Sequence, residues 1–231
     1  MKRITPVIIF IGLVLGMLLF PYIPMSIFNF NIDNFSEKMK IIYNFVCDIG
    51  YVIIIIMIYK DQIFNEFKSY FRDFKKHFKL GIKYYLIGLL IMVVSNLLIN
   101  YLFSGAIAAN EETVRSLIKH YPVYMLFSVA IYAPVVEETI FRRSIKDCFI
   151  ELDKNNFIKY IYTICSGFIF GLMHILGHTT KIIDYLYIIP YMALGSAFAA
   201  LYHKTDNLWD SIIFHSLHNL VAIILFLGLG I

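Results

Sequence analysis

Charge is scarce in this sequence. Asp, Glu, Lys and Arg make up 16% of its 231 residues, against 60% hydrophobic residues, 17% aromatics and a mean hydropathy of +0.74. A soluble globule carries about 25% charged residues, and the shortage excludes one here. Cysteine is also sparse. Cys47, Cys148 and Cys165 are odd in number and include no CxxC pair, so they encode neither a disulfide framework nor a zinc ribbon and read as small buried hydrophobes. Six prolines and twelve glycines are spread without period, and no run of Ser, Gln or Pro supports a disordered segment. There is no internal repeat. The net charge of +4 is too modest for a nucleic-acid binder, and no nucleic-acid partner is expected.

Long apolar runs fill the space that these absences leave. A helix needs about 20 residues to cross about 30 Å of hydrocarbon. Seven blocks meet that length: Ile4 to Ile23, Ile41 to Tyr59, Tyr84 to Phe103, Val123 to Cys148, Phe157 to Leu176, Ile183 to Tyr202 and Leu208 to Gly230. The expected fold class is therefore an all-α, polytopic transmembrane helical bundle of about seven spans. Lys2 and Arg3 precede the first block as in a signal peptide, but Pro21, Pro24 and a run of Phe and Asn stand where a small-residue cleavage site would be. That block reads as a retained helix. The chain divides into N-terminal membrane helices over 1–122 and a core over 123–231.

Fifteen of the 20 basic residues fall on one side of these spans, and Lys38, Lys40, Arg115, Lys119 and Lys181 fall on the other. The positive-inside rule then places the N-terminus in the cytoplasm of a multi-pass cell-membrane protein. Heavy use of Ile, Asn and Lys suits a bacterial source. Between Lys60 and Lys83, Phe64, Phe67, Phe71, Phe74 and Phe78 alternate with seven bases, the pattern of an interfacial helix on anionic lipid, so the lipid bilayer is an expected partner. The outer loop from Ser104 to Tyr121 is expected to hold a short helix around Glu111 to His120.

An ionisable group at the centre of a span costs roughly 2.5 to 3.5 kcal/mol, so each one present needs a reason. The fourth block reads Ala133-Pro134-Val135-Val136-Glu137-Glu138-Thr139-Ile140-Phe141-Arg142-Arg143. Glu138 and Arg142 are four apart with the acid first, the favourable order for a helical ion pair. Glu137 lies about 100° around the helix and is left the freer carboxylate. Alone, such an EExxxR run is most often a solvated helix end. The fifth block carries Phe170 to His174, and the seventh carries His215, His218 and Asn219, with His215 and Asn219 four apart on one face. At about 1.5 Å per residue all three sets fall within the hydrocarbon, where a shared cavity is open to them. Asn96 is a weaker case. Asp48 either lines the same cavity or sits at the outer boundary, His218 suits hydrogen bonding within the bundle, and His120, His178 and His203 read as interfacial.

EExxxR, FxxxH and HxxxN, in that order on successive apolar segments, resemble the CPBP family of intramembrane proteases. That family includes the type II CAAX prenyl endopeptidases and bacterial bacteriocin-processing and self-immunity proteins. The resemblance covers residues 123 to 220. One departure is that many bacterial members continue FRG, where this chain has Phe141-Arg142-Arg143. The missing glycine bears on helix packing and removes no chemical group.

The resemblance implies an endopeptidase in which Glu137 takes a proton from a water held between it and His174, and that water attacks a peptide carbonyl. His215 and Asn219 would donate to the oxyanion, while Glu138 with Arg142 would hold the fourth helix and aim Glu137. Its substrate would be a peptide or membrane protein: a prenylated protein, a leader or signalling peptide, or a bacteriocin precursor. No cofactor is expected, with zinc the runner-up, since Glu137, His174 and His215 are a His₂Glu set. HExxH is absent, however, and Gly177 points to a helix ending where His178 would have to serve. With no GD dipeptide, no GxSG motif around Ser166 or Ser196 and no partner for Cys165, other intramembrane chemistries lack their residues. The alternative is a non-catalytic immunity protein that binds a bacteriocin through the same polar cavity. A transporter would show repeated halves, and none are present.

Overall fold

The computed structural model describes residues 4–103, 107–149, 155–177, 179 and 181–229. Lys2, Arg3, Ser104, Lys154, His178 and Gly230, on which parts of the sequence reading rest, lie outside the described residues. The chain is an all-helical bundle with no strand among the described residues. Its helices are α1 (Ile4–Leu19), α2 (Tyr22–Ile27), α3 (Glu37–Arg72), α4 (Phe74–Leu102), α5 (Ala109–His120), α6 (Pro122–Cys148), α7 (Asn156–Ile175), α8 (Ile182–Thr205) and α9 (Leu208–Leu229). Six of them, α3, α4, α6, α7, α8 and α9, are long and apolar enough to cross a membrane. Leu90, Leu97 and Ile224 are more than half exposed, as lipid-facing side chains would be.

The first block departs from its expected length. α1 stops at Leu19 after 16 residues and the chain turns through Phe20 and Pro21 into α2. Proline disfavours helical backbone in the residue before it, which breaks the run there. The Tyr43 hydroxyl donates to the Pro21 carbonyl and that of Tyr51 to Leu13, fastening α1 and its turn to α3.

The basic segment from Lys60 to Lys83 is not a helix of its own. α3 kinks at Tyr59 (φ −115°, ψ 24°), runs on to Arg72, and meets α4 at Asp73. Its aromatics form a ladder in which Phe67 packs on Trp209 at 4.8 Å and Phe78 on Phe214 at 5.7 Å between ring centroids. The turn between α8 and α9 is bound to this extension of α3. Asp206 takes a left-handed conformation (φ 51°), Asn207 accepts from the Trp209 amide at 3.0 Å, and the Glu66 carboxylate accepts from the Leu208 amide at 2.6 Å. A buried pair, His77 and Asp210 at 2.7 Å, ties α4 to α9.

α6 is not a uniform α-helix. Two π-helical turns, Ser128–Tyr132 and Thr139–Ser144, flank the α-helical Ala133–Glu138. Pro134 offers no N–H to the carbonyl four residues back and its ring crowds it, a recognised cause of local rewinding. α7 packs closely on α8 through Gly167 and Gly171, four apart. A methyl at Gly167 would sit 2.0 Å from Ser196 Oγ and 2.7 Å from Ser196 N, and one at Gly171 would sit 2.9 Å from the Ile188 carbonyl oxygen. Such a small-xxx-small stripe lets membrane helices approach backbone to backbone. As sequence expects, α7 ends just before Gly177, whose φ is +81°.

Gly167→Leu is therefore expected to push α7 off α8 and destabilise the protein by at least about 1–3 kcal/mol. Gly12→Leu, where no atom lies within 4 Å, is expected to be neutral. Thermal unfolding of the two purified variants in detergent checks this, and equal melting temperatures would contradict it.

Candidate active site

Construction starts with the buried charge pair. Glu138 and Arg142, one helical turn apart on α6, are both fully buried. Arg142 donates from Nε to Glu138 Oε2 at 2.8 Å and from Nη2 to Oε1 at 3.0 Å, a bidentate pair. Its Nη1 donates to Ser166 Oγ at 3.3 Å, and its guanidinium lies 4.6 Å from the Phe170 ring centroid. The π-helical turn is held from α7 as well: Ser166 donates to the Phe141 carbonyl at 2.6 Å and the Tyr162 hydroxyl to that of Arg142 at 3.1 Å. One arginine thus joins α6 to α7.

Glu138 carries the same network to α9. Its Oε1 also accepts from His215 Nδ1 at 2.9 Å, which turns the other ring nitrogen, Nε2, toward Glu137. His174 is set in the same manner from α7: its Nδ1 donates to the Phe170 carbonyl at 2.9 Å, leaving Nε2 free. His174 Nε2 and His215 Nε2 each lie 3.9 Å from Glu137 Oε2. That carboxylate oxygen is buried and has no hydrogen-bond partner.

Glu137, His174, His215 and Asn219 all line one cavity of about 560 Å³, with Glu138 and Arg142 behind its wall. The Asn219 amide donates to the Val129 carbonyl at 2.8 Å, in the first π-helical turn of α6, and so its side chain is held against α6. The three predicted motifs meet around one space. Asn96 and His218 line it as well, and His218 Nδ1 approaches the Tyr85 hydroxyl at 3.4 Å. Asp48 does not line the cavity. It is buried away from the cavity and accepts from the Tyr124 hydroxyl at 3.0 Å, tying α3 to α6.

Several residues escaped the sequence reading. Ser166 was weighed only as a nucleophile and instead serves Arg142. Tyr191 packs on His174 at 4.6 Å, and nothing in its apolar surroundings marks it beforehand. Arg143, the departure from FRG, fills its position with contacts: Asp147 at 3.3 Å, the Tyr202 hydroxyl at 3.3 Å and Glu66 at 3.9 Å. It clamps the end of α6 to α3 and α8.

Glu137, His174 and His215 are the side chains that would hold a zinc ion. A tetrahedral zinc with ligands at about 2.0–2.1 Å would place two of them about 3.4 Å apart, and a water hydrogen-bonded tetrahedrally to two groups at about 2.8 Å would place them about 4.5 Å apart. The 3.9 Å from Glu137 Oε2 to each imidazole lies between the two.

These features define a multi-pass membrane protein with a polar site inside its helical bundle. Residues 119–221 match the family model for the Rce1-like type II CAAX prenyl endopeptidases. Over 126 residues the chain is 30% identical to YdiL of Bacillus subtilis (strain 168), named provisionally as a membrane peptidase, covering 54% of this chain and 46% of that protein. Over 130 residues it is 30% identical to the membrane-embedded CAAX protease MroQ of Staphylococcus aureus (strain USA300), covering 55% and 49%. The chain spans about half the length of the curated relatives it matches. No solved structure matches it significantly. Through this region the chain is similar to the intramembrane CAAX-type proteases that its three motifs resemble.

Arg142→Met leaves Glu138 charged without its main partner and is expected to cost about 3–5 kcal/mol. Glu138→Gln combined with Arg142→Met removes both charges and is expected to recover much of that stability. Chemical denaturation of the single and double variants checks the pair, and additive losses would contradict it.

Proposed function

We propose that the chain is an intramembrane endopeptidase in which Glu137 and His174 activate a water for attack on a peptide carbonyl. What carries the reading is the unpartnered, buried Glu137 Oε2 on the cavity wall, 3.9 Å from each of two imidazole nitrogens. The steps follow from the hydrogen-bond inventory. His174 Nε2, free because Nδ1 is committed to Phe170, accepts a hydrogen bond from one O–H of the water, which stays on the oxygen, and the Glu137 carboxylate takes the proton of the other O–H as the oxygen attacks. With Nδ1 already donating to Glu138, His215 would donate from Nε2 to the developing oxyanion as an imidazolium, and Asn219, which also lines the cavity, would donate the amide N–H that Val129 does not take. Glu137 then returns its proton to the leaving amine. Glu138 and Arg142 touch no reacting atom in this scheme; they are positioning residues that hold His215 and the turn bearing Glu137.

The substrate is a peptide or membrane protein: a prenylated protein, a leader or signalling peptide, or a bacteriocin precursor. The protein works without a metal. The core of the reaction lies within 123–231, the N-terminal helices over 1–122 complete the bundle, and the basic ends of α3 and α4 face the cytoplasm.

Glu137→Gln keeps shape and removes the base, so its activity is expected to fall by roughly 10²–10⁴. Mass spectrometry of peptides from cells carrying the wild type or this variant checks it: one cleavage should vanish, and unchanged peptide profiles with full biological activity would favour the immunity-protein alternative. Metal analysis of the purified protein is expected to find no stoichiometric zinc and chelators to leave activity intact; loss of activity on chelation, restored by zinc, would overturn the water-only scheme.

A further inference from the structure

Part of the cavity wall belongs to α5, which lies almost wholly outside the residues matched by the family model. α5 contributes Asn110, Glu111, Val114, Arg115 and Ile118 to the lining. Arg115 is the only Lys or Arg among the described residues that line it. Inside a membrane bundle a lone cation stands out, because an ion there must be paired or solvated.

Arg115 is only partly paired. Its Nε and Nη2 both donate to one oxygen, Glu111 Oε1, at 3.1 and 2.6 Å. Its guanidinium carbon lies 5.3 Å from the centroid of Phe226, another wall residue, and Lys119 Nζ approaches the same ring at 5.5 Å. Two cations thus face one ring, with Glu111 bonded to one of them. A guanidinium presents five N–H groups in a rigid planar fork. Glu111 occupies the Nε edge, and among the described residues Nη1 donates to nothing, which leaves the Nη1–Nη2 end free. The side chain is about one-third exposed and is part of the cavity lining. α5 also reaches the reacting centre, since Asn110 lines one recess with Tyr191 and His174, and Tyr191 packs on His174.

We propose that Arg115 is the specificity-determining residue of this cavity and that its free guanidinium end receives a carboxylate of the bound peptide, with Glu111 holding the other edge in place. The carboxylate is either the peptide's free C-terminus or an acidic side chain. A carboxylate entering this space loses its hydration and finds a bidentate, charge-assisted partner, whereas a neutral group leaves the fork unpaired. The inference rests on the peptidase reading for what enters the cavity.

Binding tests it without turnover. The full-length Glu137→Gln protein in lipid nanodiscs would be titrated with three fluorescent pools of apolar hexapeptides: free C-terminal acids, C-terminal amides, and amides carrying one internal Glu. Fluorescence anisotropy is expected to show one or both carboxylate pools binding at least about tenfold tighter than the plain amides. The pool that wins identifies the source of the carboxylate. Arg115→Gln in the same background should abolish the preference and Arg115→Lys should restore part of it, with melting temperatures confirming folded protein. Equal binding of all pools, binding of none, or a preference that survives Arg115→Gln would overturn the proposal. Because the readout is affinity, a failure of the hydrolytic scheme in the Glu137 comparison and a failure here are separate results.

Discussion

The buried contact between Glu138 and Arg142 is the constraint on which the site depends. Both groups are fully desolvated, and a pair so placed is weak evidence of net stability, because desolvation offsets most of its Coulombic gain. Its value lies in geometry. Arg142 is fixed by Ser166 and the Phe170 ring, Glu138 by Arg142, and His215 by Glu138, so three helices take their relative positions from one guanidinium. Moving any of these side chains moves an imidazole nitrogen that lies 3.9 Å from Glu137.

Backbone irregularity serves the same end. In α6 a regular helix through Pro134 would leave the Ala130 carbonyl without its N–H, and the π-helical turns on either side reset the angle at which Glu137 and Glu138 leave the helix. Adjacent residues thereby serve different partners: Glu137 the cavity and Glu138 the interior of the bundle. The glycine stripe of α7 permits the backbone contact with α8 that brings His174 beside Tyr191. At its other end α6 is clamped by Arg143 to α3 and α8, where the sequence comparison had only noted a missing glycine.

Most of the fold was legible because lipid imposes a length and a polarity on each span. Six apolar blocks became helices near their expected positions, and Gly177 ended α7 as its left-handed backbone requires. The failures were local. Pro21 cut the first block short, and the basic segment extended α3 and α4 because Asp73, a single residue, joins two helices that were expected to stop at the headgroups. At the site, the i,i+4 spacing of Glu138 and Arg142 and of His215 and Asn219 marked shared faces, and isolated polar groups in apolar runs stood out by their cost. Ser166, Tyr191 and Arg115 carried no such mark. A serine is cheap in a membrane helix, a tyrosine is common there, and Arg115 lies in a short polar helix that only the folded bundle brings against the cavity.

In the proposed mechanism Glu137, His174 and His215 surround one reactive solvent molecule. A crystal or cryo-electron microscopy structure in lipid, at a resolution that shows ordered water, is the decisive measurement. One water is expected within about 3 Å of both Glu137 Oε2 and His174 Nε2, with the Glu138, Arg142 and His215 contacts in place. A tetrahedral metal bound by the three side chains, or their separation into unconnected spaces, would contradict it.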